Sequence, residues 1–474
     1  MLATARAVAD STDDFIAKHW RQPLAPQGPP PARFSRLEKS LAPESCGTCH
    51  PAQLADWRTS LHSRALGPGV AGQLVEMAQS DPASAIVCYT CHAPLAEQAP
   101  LVRGRQGYEK SRVFDAALAD RGVACPACHV RRHQRFGPPR RDGSVQSSGP
   151  RSTLPHNGVT RTPAFLRSEF CRGCHQFEAN GIALNGKLLE DTYGEWKASR
   201  FARAGVQCQD CHMPDRRHLW RGIHDREMVR SGLTITLSPV TRDPGPEAII
   251  SAVLRVENTG VGHAVPTYVT PKIVLRGELI DGEGHAIEPS RQETAIERLI
   301  ELDLSREISD TRLHPGQSAV LSYRRAIDRG ALRARFSVIV FPDAFYTRFF
   351  ETLLQQGAGR GAEQIRAALE ETRRSPFAVF VEEVALAPAS TSPAERGAVR
   401  ARIGGAGQAV RVERDDLRVA HQIAPRVHDA DLVAAQCERR RDVVAEAVLQ
   451  AQRPCRLAPR ASVEPARRLD RRLR

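Results

Sequence analysis

The sequence predicts two unlike parts: a mainly α domain with little regular structure, followed by an all-β immunoglobulin-like sandwich with inserted helices. Three observations predict this. Five C-x-x-C-H motifs fall between Cys46 and His212, separated by short helical patterns that Gly and Pro interrupt. From about residue 231 the texture changes to short alternating apolar runs with Gly, Pro and Asp between them. From residue 389 onward no Phe, Trp or Tyr occurs, so the last segment lacks the bulk to build a core.

A chain of 474 residues has room for two or three domains. Residues 1–40, with Pro23, Pro26, Pro29, Pro30 and Pro31, read as an extended lead-in. Within it, Ala7-Val8-Ala9 before Asp10 is open to two readings, the cleavage site of a clipped signal peptide or a plain start. Residues 41–230 hold all five motifs, with a Gly-, Pro-, Ser- and Arg-rich loop over 133–163. Residues 231–386 read as the sandwich. Its strands are expected at Leu233–Leu237, Ile249–Val256, Ile273–Ile280, Ala319–Tyr323, Phe336–Phe341 and Phe377–Val384, with helices near Tyr346–Gln356 and Ala362–Arg373. Residues 387–474 read as an arginine-rich disordered tail, with a helix around Asp442–Gln452 or as read-through sequence.

No apolar run of about 18 residues exists, so no integral membrane span is expected. The formal charge of +13 suggests nucleic acid, but over half of it lies in the tail, away from the motifs. Nucleic acid is therefore not an expected partner. Ten of the twelve cysteines sit in the five motifs, too regularly placed for a disulfide framework; Cys437 and Cys455 stand apart in the tail.

The motifs are Cys46-Gly47-Thr48-Cys49-His50, Cys88-Tyr89-Thr90-Cys91-His92, Cys125-Pro126-Ala127-Cys128-His129, Cys171-Arg172-Gly173-Cys174-His175 and Cys208-Gln209-Asp210-Cys211-His212. Two cysteines three apart lie on one side of a helical turn. There each can form a thioether with one vinyl group of a haem, while the following histidine supplies an imidazole to the iron. A zinc ribbon takes two such pairs per metal, and five do not divide evenly. Neither zinc nor dithiol chemistry requires a histidine after every second cysteine. The expectation is five covalently attached c-type haems, about one per forty residues, with the haems themselves forming much of the core. Their ten propionates would offset the positive charge.

The sixth ligand decides whether an iron only passes electrons or also binds a substrate. Met1, Met77, Met213 and Met228 offer no obvious ligand, so bis-histidine ligation is expected. His62, in Trp57-Arg58-Thr59-Ser60-Leu61-His62, is the best candidate. An internal echo at Glu195-Trp196-Lys197-Ala198-Ser199-Arg200-Phe201 has Phe where the first copy has His. His156 lies in the long loop. His218 and His224 follow the fifth motif, and either can cap a neighbouring iron. His133 reads as surface among Arg131, Arg132 and Arg135. His263, in a turn of the β segment, reads equally as a ligand or as a structural residue.

The stretches CGTCHPAQLADWRTSLHSRA (46–65), FCRGCHQF (170–177), EWKASRFARAGVQCQDCHMPDRRHLWRGIHD (195–225) and NTGVGHAVPT (258–267) resemble multihaem cytochromes c of the cytochrome c-554 type, relatives of hydroxylamine oxidoreductase. The resemblance covers roughly 41–270. It implies a periplasmic electron carrier working with redox partner proteins, often in nitrogen or sulfur oxyanion metabolism, and a distal-ligand role for His62. Five motifs rather than four, no tyrosine placed for a haem crosslink, and no C-x-x-C-K set this chain apart. The expected function is electron transfer, with no catalytic residue singled out. The alternatives are a haem oxidoreductase acting on a small nitrogen or sulfur compound at one open iron, and a docking subunit of a membrane-associated respiratory complex.

Overall fold

The computed structural model describes residues 12–146, 154–243, 248–327 and 330–386. The A-x-A site at 7–10 and the tail from 387, with its Asp442–Gln452 helix, lie outside the described residues.

The lead-in is not wholly extended: residues 12–19 form helix α1. Phe15 and His19, one turn apart, stack with ring centres 4.9 Å apart and turn the same face inward. Seven short helices follow before the fourth motif's far side: α2 (Arg36–Lys39), α3 (Pro43–Gly47), α4 (Pro51–Thr59), α5 (Pro68–Ser80), α6 (Pro82–His92), α7 (Cys125–His129) and α8 (Thr192–Ala198). Five of them carry Pro in the first turn, where its missing N–H costs nothing. Helices α9 (Arg200–Arg203), α10 (Cys208–His212) and α11 (Arg226–Gly232) complete the first part.

Small sheets tie these turns together. Strands β1 (Leu101–Gly104) and β2 (Gly107–Lys110) form a hairpin, as do β6 (Ala183–Leu184) and β7 (Lys187–Leu188). The described parts of the long loop contribute two strands. Strand β4 (Gln134–Gly137) pairs antiparallel with β3 (Val130–Arg131) and parallel with β5 (Val159–Arg161).

The second part is two antiparallel sheets around one core. In the first sheet β10 (Ile249–Asn258) lies between β8 (Leu233–Leu237) and β14 (Ser318–Ala326), with β9 (Thr241–Arg242) at its edge. The second runs β13 (Glu307–Asp310), β12 (Ala286–Ile300), β11 (Lys272–Ile280), β15 (Arg333–Phe341), β16 (Phe377–Ala385). Leu254, Val256 and Tyr323 from the first sheet meet Ile273, Leu275 and Phe336 from the second in that core. Each fully buried apolar side chain of this size contributes roughly 1.5–3 kcal/mol. Strands β12 and β13 were not expected, because charged residues such as Glu293, Glu297 and Arg298 interrupt the apolar alternation there.

Between β15 and β16 the chain makes helices α12 (Ala344–Gln355) and α13 (Ala362–Arg374). Their apolar stripes, including Phe350, Ile365 and Leu369, close a second small core. This pair packs on α5 of the motif-bearing part, where Gly69 and Gly72 lie against Phe350 and Ile365. A third core joins Leu184 and Leu189 to Val269, Ile300 and Phe345. The two parts therefore share their packing, and residues from both reach the site.

Candidate haem-ligating site

Each motif occupies one tight turn. Helices α6, α7 and α10 end on His92, His129 and His212. In the first and fourth motifs the backbone N–H of His50 and His175 bonds back to the carbonyl of Cys46 and Cys171, at 2.9 and 3.1 Å. None of the ten motif cysteines is paired in a disulfide. Thiols of different motifs are neighbours: Cys46 of Cys125, Cys91 of Cys174, and Cys171 of Cys208. Cys128 is close enough to feel the charge of both Cys171 and Cys174.

The histidines converge in pairs. His62 lies opposite His175 with ring centres 6.2 Å apart, His218 opposite His129 at 6.2 Å, and His263 opposite His212 at 6.3 Å with planes 11° apart. Metal–imidazole bonds of about 2 Å on the two faces of one iron place ring centres roughly 6 Å apart. These separations fit a haem iron held between each pair.

Hydrogen bonding selects the nitrogen that faces the metal. Nδ1 of His92, His129, His212 and His263 bonds the carbonyls of Ala65, Phe136, Arg221 and Ala264, at 2.6, 2.9, 2.7 and 2.9 Å. A proton on Nδ1 leaves the Nε2 lone pair free for iron. Burial lowers the proton affinity of these rings: His62 falls to about 3, and His129 and His263 to about 4. Each therefore stays neutral, as ligation requires.

Several buried donors and ring nitrogens have no protein partner: Nδ1 of His62, His156 and His218, Nη2 of Arg131, Nε of Arg161 and Nε1 of Trp20. Such atoms are costly to leave unpaired. The ring nitrogens match iron or a water, and the cationic donors match haem propionates. The donor set thus fits c-type haem on three counts: thiol pairs, opposed imidazoles and unpaired cationic donors.

The other histidines separate clearly. His156 sits at a left-handed φ of 41°, its N–H bonded to Glu38, within electrostatic range of His50. His224 departs from expectation: its Nε2 lies 3.0 Å from both carboxylate oxygens of Asp343, an ion-pair geometry that engages the nitrogen a ligand would use. His133 is buried rather than at the surface, its Nε2 bonded to the Gly28 carbonyl at 2.9 Å. His19 was missed. It is 4% exposed, bonds the Cys128 carbonyl through Nε2 at 2.8 Å, and stands among Phe15, Phe136, Phe165 and Phe170. The i, i+4 spacing of Phe15 and His19 was the available signal.

The fold and these turns define a multihaem c-type cytochrome, with covalently bound haem. Residues 45–130 match the family described as cytochrome c554 and c-prime. Among solved structures it is similar to a penta-heme cytochrome c552 from Thermochromatium tepidum, at 20% identity over 74% of this chain and 100% of that one, with a TM-score of 0.49. It is also similar to structural-genomics target SoR45, at 8% identity over 36% of this chain and 96% of that one, with a TM-score of 0.17. No curated protein matches the chain. Among the described residues, no helix is long and apolar enough to cross a membrane.

Proposed function

We propose that the chain is a periplasmic electron carrier with five c-type haems, most of them bis-histidine ligated. The observation that carries this reading is the set of three opposed imidazole pairs at 6.2–6.3 Å, each joining a motif histidine to a histidine from elsewhere in the chain. His156, near His50, supports a fourth pair. His224 is left out of the ligand set because Asp343 engages it.

Haem supplies an iron that alternates between two oxidation states inside a conjugated ring. The protein's part is to hold both imidazoles neutral and fixed, so that ligation does not change with oxidation state. The neighbouring thiols support an order of attachment sites in which the first lies beside the third, the third beside the fourth, and the fourth beside both second and fifth. Cys49 and Cys211, in the first and fifth motifs, are the exposed thiols of the ten. Those two sites are the proposed ends of the path, where redox partner proteins dock.

The sheet order supports reading 231–386 as an immunoglobulin-like sandwich. Strands one, two and five of the series β8, β10, β11, β12, β14, β15 and β16 form one sheet, and the rest form the other. In this reading 41–230 is the haem domain and the sandwich lends it His263.

A second reading has one observation in its favour. Among the described residues no histidine ring pair involves His92, and the buried phenols of Tyr268 and Tyr346 lie within electrostatic range of Cys88. An open iron there would make the protein a haem oxidoreductase for a small nitrogen or sulfur compound. Mass spectrometry of the matured protein, with visible spectra of the reduced form with and without carbon monoxide, tests both readings. A polypeptide carrying five haems and no carbon monoxide response is the expected carrier result. Binding of one carbon monoxide selects the second reading, and the bare polypeptide mass overturns both.

A further inference from the structure

We infer that an acid followed by Trp-x-x-Ser, present twice, is a positioning device that fixes both axial histidines of one attachment site in each copy. The inference rests on the ligand pairs proposed above and assigns residues that hold them. The copies are Asp56-Trp57-Arg58-Thr59-Ser60 and Glu195-Trp196-Lys197-Ala198-Ser199.

The two copies share their backbone and indole bonds, though the Ser60 hydroxyl donates to the Trp57 carbonyl while that of Ser199 accepts from the N–H of Phe201 and Ala202. Both tryptophans are buried, at 5% and 6% exposure. The N–H of Ser60 bonds the Trp57 carbonyl at 3.0 Å, and that of Ser199 bonds the Trp196 carbonyl at 2.9 Å. Both serines then leave the helix in extended geometry, φ/ψ −86°/158° and −78°/165°.

The indole of Trp57 donates to the Val123 carbonyl at 2.9 Å, and that of Trp196 to the Val206 carbonyl at 3.0 Å. Each valine stands two residues before the first cysteine of a motif, Cys125 or Cys208. Its N–H is taken as well, by the carbonyl of His62 in one copy and of Phe201 in the other, at 2.8 and 3.0 Å. A glycine precedes each valine, Gly122 at φ 55° and Gly205 at φ 83°, a turn that side chains disfavour. At Gly122 an added Cβ would stand 2.3 Å from the His62 carbonyl oxygen. Each tryptophan therefore sets the approach of its motif, and with it the motif histidine His129 or His212.

The acid grips the other side of the same ring pair. Asp56 accepts the backbone N–H of His218 at 3.0 Å, and His218 faces His129. Glu195 accepts the N–H of Ala264 at 3.0 Å and the Thr267 hydroxyl at 3.0 Å, and Ala264 follows His263, which faces His212. Each carboxylate is braced by an arginine: Arg217 at 2.8 and 2.6 Å on Asp56, Arg312 at 2.9 Å on Glu195. Glu195 and Arg312 are both buried, so the brace is shielded from water and salt. Adjacent residues on one helix thus hold the proximal turn with an indole and the distal backbone with a carboxylate. A buried polar contact of this kind holds a ligand to a fraction of an ångström.

The test is made on matured holoprotein and reads carbon monoxide uptake of the reduced form, the number of low-spin haems by electron paramagnetic resonance, and haem content by mass. H218A and H263A serve as references, each expected to lose one low-spin haem and gain one carbon monoxide site. D56A and E195A are expected to give the same change in part, with haem content unchanged and low-spin signal restored by added imidazole. D56N and E195Q, whose amide oxygens still accept the backbone N–H, should stay close to the parent. If either alanine variant fails to mature, R217A, which removes an exposed brace and leaves Asp56 in place, is expected to show the D56A change in smaller measure. Alanine or R217A variants with the parent's spectrum, beside responsive H218A and H263A, would overturn the device and leave the ligand pairs standing. Unresponsive H218A and H263A would overturn the ligand pairs themselves, and the device with them.

Discussion

The indole N–H of Trp57 donates to the backbone carbonyl of Val123, 66 residues further on. This bond closes a long loop next to the third motif and leaves no buried polar group of either residue idle. W57F keeps the aromatic packing but removes the donor, stranding a buried carbonyl. The expected loss is about 1–3 kcal/mol. Urea unfolding of the holoprotein, followed by far-ultraviolet dichroism, would show it as a lower midpoint with an unchanged slope.

That bond also marks where legibility in the sequence ended. The five motifs are local: Cys, Cys and His share one turn, so spacing alone reveals them. Most strands of the second part are nearly as local, since Ile249–Asn258 and Arg333–Phe341 alternate or run apolar along their own length. Strand Ala286–Ile300 was hidden because its charged residues find partners on neighbouring elements, as Arg298 does with Glu307. The histidines proposed as distal ligands were legible as candidates but not as pairs. His62 and His175 meet only through the tertiary fold, and nothing near His224 in sequence announces Asp343, 119 residues away. Helix α1 was hidden by the prolines that follow it.

His224 gives a direct check on that distinction. Its ring is about one-third exposed and paired with Asp343. H224A is expected to leave the low-spin haem count and the carbon monoxide response as in the parent. It should lower stability by less than about 1 kcal/mol, the usual worth of a solvent-screened pair. Loss of one low-spin signal in H224A would restore this histidine to the ligand set.

Acid should loosen the contact between the two parts at Asp310. Burial opposes ionisation of Asp310, but hydrogen bonds and charge from Arg312 and Lys187 win, holding its carboxyl well below the ordinary 3.8. A carboxyl whose value is depressed on folding lends stability in full above its unfolded value and loses it as pH falls toward the folded one. The melting temperature of D310N should therefore lie below the parent's at neutral pH. The gap should narrow steadily as pH drops below about 4. A gap that stays constant down to pH 2 would place the effect in packing rather than charge.

Arg298 shows how the second part supports the first. Its side chain is 1% exposed and each of its three nitrogens has an acceptor: Glu307 on Nε at 2.8 Å, the Leu188 carbonyl on Nη1 at 2.7 Å, and the Leu184 and Lys187 carbonyls on Nη2 at 3.2 and 3.0 Å. A strand of the large sheet thus grips the β6–β7 hairpin, which leads directly into the helix of Glu195 and Trp196. R298M would fill similar space while leaving three carbonyls without their donor and Glu307 with Lys187 as its cationic partner at 2.8 Å, at a cost of about 1–3 kcal/mol. Pairing it with E307Q removes both sides of the Arg298–Glu307 contact, so the double variant should lose less than the sum of the two single variants. Urea unfolding of parent, both single variants and the double variant measures the coupling. Because the hairpin feeds the positioning helix, R298M should also raise carbon monoxide uptake at the fifth attachment site. Loss of stability with no change in uptake would show that Glu195 and Trp196 hold their histidines without help from the strand beneath.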